Sequence, residues 1–573
     1  MFDILIRNAT LVDGTGAPPR RADVAVKDGL IAEVGEIDKP ASRSIDAQGL
    51  LVTPGFVDIH THYDGQASWD PLLAPTSLNG VTSLAMGNCG VGFAPARPDR
   101  HDWLIALLEG VEDIPGTALA EGLTWDWESF PDYLDALGRR RFALDVAAHL
   151  PHAALRTYVM GDRGADHQAH PTAAEIAEMA RLTEEALAAG ALGFTTSRTM
   201  VHRSRSGENI GTLEAGEAEL LGIAAAMRRA GKGVIQLISD AYLTADDEFA
   251  ARELDLIEAM ARTSGRPLSF TVQQTDDAPD RFRQIFDRVA QMVADGLDVK
   301  CQIAPRPIGV VQGLEATLNP FLFTPEWRRI GALPLAEKVA ELGKPDVRAR
   351  LLAQHAEIRP DGFGALIAHG FSRMFRMSDP VDYEPAAERS VAAEAARAGI
   401  PAADYMLDLL CEDAGHRLLY MPLINYARGD LGDVFDMLSA PNTLYGLSDG
   451  GAHCGTICDA SFPVSTIGIW WKGNKAGASI PLEQLVHGLT QRNARHVGWL
   501  DRGVVAPGTR ADLNLIDLDE LSVPPPRMVH DLPAGGGRLL QRPRGILMTL
   551  CAGVVTFEYG EPTGELPGRL LRG

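Results

Sequence analysis

The segment Gly55-Phe-Val-Asp-Ile-His-Thr-His62 constrains this chain more than any other. A short apolar run leads into His60 and His62, which are spaced i, i+2. Side chains alternate along a strand, so both imidazoles project to the same side and can reach one ion. Two surface histidines at a strand-to-loop junction would give the same letters. The metal interpretation therefore depends on what the rest of the chain supplies.

From Phe56 onward, short apolar runs alternate with amphipathic helical segments, which predicts parallel strands joined by crossover helices. The clearest helix is predicted to begin at Thr172, with Glu175 completing a capping box, and to stop at Gly190. The chain offers eight strands, enough to close a (β/α)8 TIM-like barrel of the α/β class. They are predicted at 56–60, 82–87, 143–149, 191–197, 233–239, 267–273, 298–303 and 443–448.

Strand-and-turn patterns flank this region on both sides. We expect residues 1–53 and 499–573 to build one small β-sandwich domain from both chain ends, with 54–498 as the barrel. Two spacers, at about 90–142 and 304–442, are too long for simple crossovers. They are predicted to be insertions that cover the mouth of the barrel.

Composition excludes several classes of partner. The formal net charge of −23 opposes binding to nucleic acid or to an anionic membrane. Six cysteines in 573 residues are too sparse for a disulfide framework, and the amino terminus has the pattern of a strand instead of an export signal. No run of eighteen apolar residues occurs. We therefore expect a cytoplasmic protein with reduced thiols that acts on a small molecule.

In a barrel of this kind, functional groups lie at the carboxyl ends of the strands. Histidine, thiolate and carboxylate together suit zinc better than magnesium or calcium. Asp449 at the last strand end could bind the metal, take a proton from a metal-bound water and return it to a leaving nitrogen. The alternatives are an ordinary turn at Ser448-Asp-Gly450 and a small buried hydrophobe at Cys89. The strand ends carry His60, His62, Cys89, His149, Arg198, His202, Gln236, Gln273, Arg306 and Asp449.

Four further residues are candidates for binding substrate. The guanidinium of Arg198, after the fourth strand, or of Arg306, after the seventh, could hold a carboxylate through paired hydrogen bonds. For each arginine, a salt bridge between loops is the alternative. His202 and His453 are expected to line the same pocket, and His453 is also a candidate metal ligand.

Several motifs resemble those of the amidohydrolase superfamily, and more narrowly its D-aminoacylase or N-acyl-D-amino-acid deacylase branch. The similarity extends over essentially the whole chain. It is carried by Pro54-Gly-Phe-Val-Asp-Ile-His-Thr-His62, Gly87-Asn-Cys-Gly90, Ser448-Asp-Gly450, Arg502-Gly-Val-Val-Ala-Pro-Gly-Thr-Arg-Ala-Asp-Leu513 and Thr563-Gly-Glu-Leu-Pro-Gly-Arg-Leu-Leu-Arg-Gly573.

The resemblance implies a zinc hydrolase that cleaves an amide bond in a small carboxylate-bearing molecule, with N-acyl-D-amino acids as the first substrates to test. Zinc would be held by His60, His62 and Cys89, with Asp449 as ligand and as general base and acid. It also implies a homo-oligomer. No lysine stands at the end of the fourth strand, which opposes a dihydroorotase-like or hydantoinase-like centre.

The chain departs from this branch at the histidines of the fifth and sixth strands. They are replaced by Gln236 and by Gln273 or its neighbour Thr271, and glutamine is a poor zinc ligand. We therefore expect one tightly held zinc and leave a second metal open. The candidate replacement ligands are His149, His202 and His453.

Two alternatives remain at this stage. The site could hydrolyse another amide, a cyclic imide or an ester. The barrel could also have lost its metal chemistry and serve as a scaffold, which metal content would decide.

Overall fold

The computed structural model describes all 573 residues. Strands from both chain ends share one nine-stranded sheet, because Leu51–Pro54 pairs with Leu513–Ile516 in antiparallel register. Buried apolar side chains on this sheet form a core of their own. The strands follow the order Glu561–Pro562, Val554–Glu558, Ile546–Cys551, Leu513–Ile516, Leu51–Pro54, Phe2–Leu11, Arg20–Lys27 and Leu30–Gly35, with Ala41–Asp46 beside Phe2–Leu11.

All eight strands predicted between residues 56 and 448 are present, each within a few residues of its expected bounds. They pair in parallel in chain order, and their residues are almost entirely buried. The strands are Phe56–Asp58, Val81–Met86, Asp145–Ala148, Gly193–Arg198, Val234–Ser239, Leu268–Thr271, Val299–Ile303 and Thr443–Tyr445.

The pairing divides these strands into a three-stranded and a six-stranded sheet. The division falls within the third strand, where His149 interrupts the run and Leu150–Pro151 continues it. At the other side, Thr61 and Gly450 form a parallel bridge beyond the first and last strands.

Amphipathic helices connect the strands. The helix Ala173–Ala189 has the predicted capping box, in which the Thr172 side chain accepts from the Glu175 main-chain N–H and the Glu175 side chain accepts in return. It ends at Gly190, whose left-handed backbone (φ 106°) closes the helix. The other helices that connect these strands are His152–Met160, Glu217–Ala230, Asp247–Ser264 and Arg281–Ala294.

The long connection after the second strand carries the helices His101–Glu112, Gly116–Gly122 and Phe130–Gly138. The one after the seventh strand has its own apolar core around a small antiparallel sheet of Ile308–Gln312, Phe375–Arg376 and Leu419–Ile424. Its helices are Pro325–Ile330, Leu335–Leu342, Pro345–Glu357, Gly362–His369, Val391–Ala398, Ala402–Cys411 and Gly432–Ser439.

The remaining elements follow the eighth strand. They are the helices Phe462–Trp470, Leu482–His487 and Asn493–His496, and a hairpin of Arg527–Leu532 and Gly536–Leu540. Every helix of the protein is too short or too polar to cross a lipid bilayer.

Candidate metal centre

His60 and His62 lie just beyond the first parallel strand and are 1% and 2% exposed. Their rings meet edge to face with centroids 5.5 Å apart. The Nε2 atoms of both rings face the same oxygen of Asp449, Oδ1, at 3.4 Å for His60 and 3.6 Å for His62. The predicted convergence of two imidazoles on one point is therefore present.

Cys89 reaches this point from the end of the second strand. Its Sγ atom lies 3.2 Å from His60 Nε2. The residue has a left-handed backbone (φ 54°) between Gly87 and Gly90. A side chain at Gly90 would meet backbone atoms of Thr196 and Ser197 at 2.7–3.0 Å, so the close approach of this turn to the fourth strand needs glycine.

The donor set fits a zinc ion. One ligand atom each from His60, His62 and Cys89 lies within 4.8 Å of the other two. Zinc–nitrogen and zinc–sulfur bonds of about 2.0–2.3 Å place tetrahedral ligands about 3.3–3.8 Å apart, close to the 3.2 Å between His60 Nε2 and Cys89 Sγ.

Burial keeps these groups neutral when no cation offsets them. It lowers the pKa of His60 to about 4 and that of His62 to about 3, and it raises the pKa of the Cys89 thiol well above its usual value, with further contributions from Glu112 and Asp449. Neutral imidazoles are ready to bind metal. The buried thiol would ionise only beside a cation, and a cysteine that binds zinc is ionised in this way.

Two residues that the sequence did not predict stand behind the imidazoles. The His60 Nδ1 lies 2.7 Å from Gln302 Oε1, and Gln302 Nε2 donates to Ser269 Oγ at 2.9 Å. This arrangement assigns the proton of His60 to Nδ1 and leaves Nε2 as the ligand atom. Gln302 belongs to the seventh strand, Val299–Ile303. The alternation of side chains along this strand is the sequence signal that could have placed Gln302 on its inner face.

Glu112, the last residue of the helix His101–Glu112, lies behind His62. Its Oε1 lies 3.2 Å from His62 Nδ1, but the orientation is not that of a hydrogen bond, so neither atom has a hydrogen-bond partner. Burial, with the charges of Asp449 and Asp64, raises the pKa of Glu112 well above its usual value. No sequence pattern placed this residue in the site.

Asp449 follows the eighth strand with a left-handed backbone (φ 47°) and is the most accessible of the group, its side chain 19% exposed. The preceding Ser448 hydroxyl donates to the carboxylate of Asp58, which also accepts from the His60 main-chain N–H at 3.1 Å. Burial raises the pKa of Asp58 to about 7. Asp58 thus links the end of the first parallel strand to the end of the eighth.

Gln236 and Gln273, which replace the expected histidines of the fifth and sixth strands, form hydrogen bonds within the protein. Gln236 Oε1 accepts from the Cys89 main-chain N–H at 2.9 Å, which holds the cysteine turn in place. Gln273 Oε1 accepts from Asn425 Nδ2 at 2.5 Å. Thr271 is buried, and its hydroxyl has no hydrogen-bond partner.

The three candidate replacement histidines have different surroundings. His453 Nε2 lies 3.9 Å from Asp449 Oδ2, so this histidine borders the site. His202 is half-buried, and its Nδ1 pairs with Ser197 Oγ at 2.8 Å. His149 is buried in the interrupted third strand with Nδ1 unpartnered. Burial, followed by the charges of nearby histidines, lowers the pKa of both His202 and His149 to about 3.

Both candidate arginines form internal ion pairs. Arg198 donates to both carboxylate oxygens of Glu253, at 2.8 and 2.7 Å. Arg306 is fully buried, and each of its five N–H groups donates within the protein, including a 2.7 Å bond to Asp459. The salt-bridge alternative is thus the arrangement present. A substrate carboxylate would have to displace these partners.

A cavity opens beside Asp449 and His453, between the loop after the eighth strand and the hairpin Arg527–Leu532 with Gly536–Leu540. Arg538 lines it, but its guanidinium is held by both oxygens of Asp531 at 2.8 and 2.9 Å.

Comparisons with known proteins found a matching family model, curated relatives and solved structures with a similar fold. Residues 43–557 match the model of the amidohydrolase family. A D-aminoacylase from Alcaligenes xylosoxydans xylosoxydans is 39% identical over 196 residues, which are 34% of this chain and 37% of that protein. An N-acyl-D-glutamate deacylase from the same organism is 38% identical over 200 residues, again 34% and 37%. These matches span just over a third of the length of the curated relatives.

Solved structures share the fold over the full length of both chains. An N-acyl-D-glutamate deacylase from Bordetella bronchiseptica, complexed with zinc and a phosphonate inhibitor, superimposes with a TM-score of 0.65 at 24% identity. A D-aminoacylase crystal structure gives 0.64 at 24% identity.

Proposed function

The chain belongs to the amidohydrolase family, and we propose that it is a metal-dependent hydrolase that removes the acyl group from N-acyl-D-amino acids. The resemblance to the D-aminoacylase branch is confirmed by the relatives of that name. The observation that carries the proposal is the convergence of His60, His62, Cys89 and Asp449 from three distant segments.

We infer that the eight parallel strands close into a (β/α)8 barrel with the site at its carboxyl-terminal face. In support, the third strand belongs to both parallel sheets on either side of His149, and the Thr61–Gly450 bridge joins the two outer strands. We place the barrel at residues 54–498, and the β-sandwich domain at 1–53 and 499–573.

His60, His62 and Cys89 would hold a zinc ion, which when bound lowers the pKa of a water molecule and polarises the scissile carbonyl. The protein's part is to orient its ligands and move the proton. Gln302 fixes the His60 ring with Nε2 inward, and the Glu112 carboxylate lies behind the His62 ring. Asp449, which is partly exposed, accepts a proton from the attacking water and delivers it to the departing nitrogen.

We propose a single tightly bound zinc ion. The residues that would complete a second site in this branch, Gln236 and Gln273, hold the cysteine turn and Asn425 instead. The proposed substrate is a small molecule that bears a carboxylate. Arg306 is fully paired within the protein, so we propose that other groups of the loops bind this carboxylate.

The test is Asp449→Asn. We expect turnover of N-acyl-D-amino acids to fall by a factor of about 10²–10⁴, because the variant has no base for the water and no acid for the leaving group. Steady-state kinetics with N-acetyl-D-glutamate and its L-enantiomer, at measured zinc content, provides the readout. The matched control is Asp277→Asn, an exposed carboxylate outside the site, which should keep full activity.

An Asp449→Asn protein with one bound zinc and undiminished turnover would refute the mechanism. Cyclic ureides and aryl esters belong in the same substrate panel, because their hydrolysis in preference to acyl-D-amino acids would replace the proposed substrate class. Wild-type protein that binds no zinc and hydrolyses none of these compounds would instead be a scaffold.

A further inference from the structure

The proposed substrate carries a carboxylate, and the cavity beside Asp449 has one permanent positive charge in its lining. Arg538 is the only arginine or lysine among the side chains that line this cavity. The other basic side chain is the imidazole of His453, which faces Asp449 Oδ2 at 3.9 Å. Apart from Asp449, the acidic lining residue is Asp459, which already pairs with Arg306. A carboxylate that enters this cavity can therefore be offset by Arg538 alone.

The hairpin that borders the cavity holds Arg538 in place. The Leu539 main-chain N–H donates to the Cys454 carbonyl at 2.6 Å, which joins the hairpin to the loop after the eighth strand. Arg538 is 7% exposed. Its Nη1 donates to the Ala74 carbonyl at 2.6 Å and lies 3.7 Å from Asp70 Oδ2. One end of the guanidinium is thus anchored beside the loop that follows the first parallel strand.

The carboxylate that now pairs with Arg538 is far more exposed than the partners of the other two candidate arginines. The partners of Arg198 and Arg306 have side chains that are 7% and 2% exposed. Asp531, which accepts from Nε and Nη2 of Arg538, has a side chain that is 45% exposed. Separating a buried pair leaves an uncompensated charge in the interior, whereas an exposed carboxylate is solvated by water when it leaves. Of the three arginines, Arg538 can therefore exchange its partner most easily.

We propose that Arg538 binds the carboxylate of the substrate, and that Asp531 turns into the solvent when the substrate enters. The inference rests on the proposed function, because it names the group that would recognise the carboxylate of that substrate. Nε and Nη2 present two N–H groups that match the two oxygens of a carboxylate. The bond from Nη1 to the Ala74 carbonyl keeps the guanidinium in place during the exchange.

The exchange keeps the charges of this region balanced. One carboxylate replaces another on Arg538, so the buried guanidinium is never left without an anion. A neutral ligand cannot replace Asp531 in this way and would gain no ion pair. The cavity should therefore bind an acyl amino acid more tightly than the carboxamide of the same compound.

The experiment compares N-acetyl-D-leucine with N-acetyl-D-leucinamide, which has no carboxylate, by following acetate release. In Arg538→Gln, KM for the acid should rise by about 10–100-fold while kcat changes much less, because the lost ion pair holds substrate and transition state alike. KM for the carboxamide should stay at the wild-type value. Arg538→Lys keeps the charge without the paired donors and should recover part of the loss.

The matched control is Arg542→Gln. Arg542 lies close to the same hairpin, but its side chain is 53% exposed and does not line the cavity beside Asp449. Both KM values should stay at those of wild type in this variant.

Asp531→Asn distinguishes substrate binding from a purely structural role. This change weakens the partner that competes with the substrate, so KM for the acid should fall by up to about fivefold. If Arg538 only stabilises the hairpin, Arg538→Gln and Asp531→Asn should both lower the thermal midpoint and leave the ratio of the two KM values unchanged. That result would overturn the inference, and so would an equal rise in KM for both compounds in Arg538→Gln.

Binding without turnover separates this inference from the proposed function. In the Asp449→Asn background, titration calorimetry should show that the acid binds more tightly than the carboxamide, and adding Arg538→Gln should remove the preference. Equal affinity for both compounds before that addition would refute the role of Arg538. Protein that prefers the acid but hydrolyses no acyl amino acid would support Arg538 and refute the deacylase proposal. Protein that deacylates with the same KM in wild type and Arg538→Gln would do the reverse.

Discussion

His60 acts as a metal ligand only if its ring keeps one tautomer, and a single amide fixes that tautomer. Gln302 Oε1 accepts from Nδ1 at 2.7 Å, and Ser269 holds the other end of the amide. We predict that Gln302→Leu weakens zinc binding by about 10–100-fold, because the ring loses both its orientation and the partner of its proton. Competition with a chromophoric chelator measures the dissociation constant.

The control for this prediction is Ser269→Ala. It removes the hydroxyl that accepts from Gln302 Nε2 but leaves the contact to His60 intact, so zinc affinity should change much less than in Gln302→Leu. Equal zinc affinity in Gln302→Leu and wild type would show that packing alone orients His60.

Residues of the site differ in how far the sequence could predict them. His60, His62, Cys89 and Asp449 stand at strand ends, where a local pattern and the barrel geometry are enough to bring them together. Gln302 contacts His60, which is 242 residues away in the chain. Glu112 lies beside His62, which is 50 residues away. Which face of a strand or an inserted helix meets a given ring is set by packing, and no short-range signal records it.

At the scale of elements, the helix His101–Glu112 carries Glu112 into the site and packs closely on the loop that follows the fourth strand. The Arg205 N–H donates to the Ala106 carbonyl at 3.1 Å. A methyl group at Gly110 would fall well inside contact distance of backbone atoms of Arg203, Ser204 and Arg205. Backbone cannot move aside as a flexible side chain can.

We predict that Gly110→Ala destabilises the protein by about 1–3 kcal/mol, the usual cost of overpacking, and lowers activity because the helix end shifts relative to His62. The thermal midpoint and turnover measure the two effects. Gly138→Ala is the matched control, since Gly138 is also helical and its added methyl would make ordinary contacts, with Arg572 Nη2 at 3.5 Å and Leu570 Cδ2 at 4.0 Å. If both alanine variants have the midpoint of wild type, the helix is not held at Gly110.

The elements that the sequence predicted well have strong local signals. Ala173–Ala189 has a capping box and a terminal glycine, and its bounds agree with the prediction. The strand Ala41–Asp46 has no such signal, because its residues are mostly exposed and polar. In the carboxyl-terminal part of the nine-stranded sheet, Ala552 and Gly553 have left-handed backbones (φ 49° and 75°) and form the turn of a hairpin between Ile546–Cys551 and Val554–Glu558.

For the whole molecule, the unit formed by both chain ends must be joined to the strands that carry the site. Asp145, fully buried at the start of the third parallel strand, makes that connection. Its carboxylate accepts from Arg502 Nη1 at 2.7 Å, from Arg510 Nη2 at 3.0 Å and from the Arg569 main-chain N–H at 2.9 Å. One carboxylate thus binds three segments of the carboxyl-terminal region.

We predict that Asp145→Asn destabilises the protein by about 3–5 kcal/mol, because two buried guanidinium groups lose the anion they share. Asp501→Asn is the control. Asp501 binds the same Arg502 at 2.9 Å, but its side chain is 63% exposed, so its loss should cost at most about 1 kcal/mol. Denaturant unfolding followed by tryptophan fluorescence compares the midpoints. Trp499, whose ring centre lies 5.6 Å from the Arg502 guanidinium carbon, is one of the eight tryptophans that contribute to this signal. Equal midpoints for the two variants would mean that apolar packing, and not the buried ion pairs, joins the two parts of the molecule.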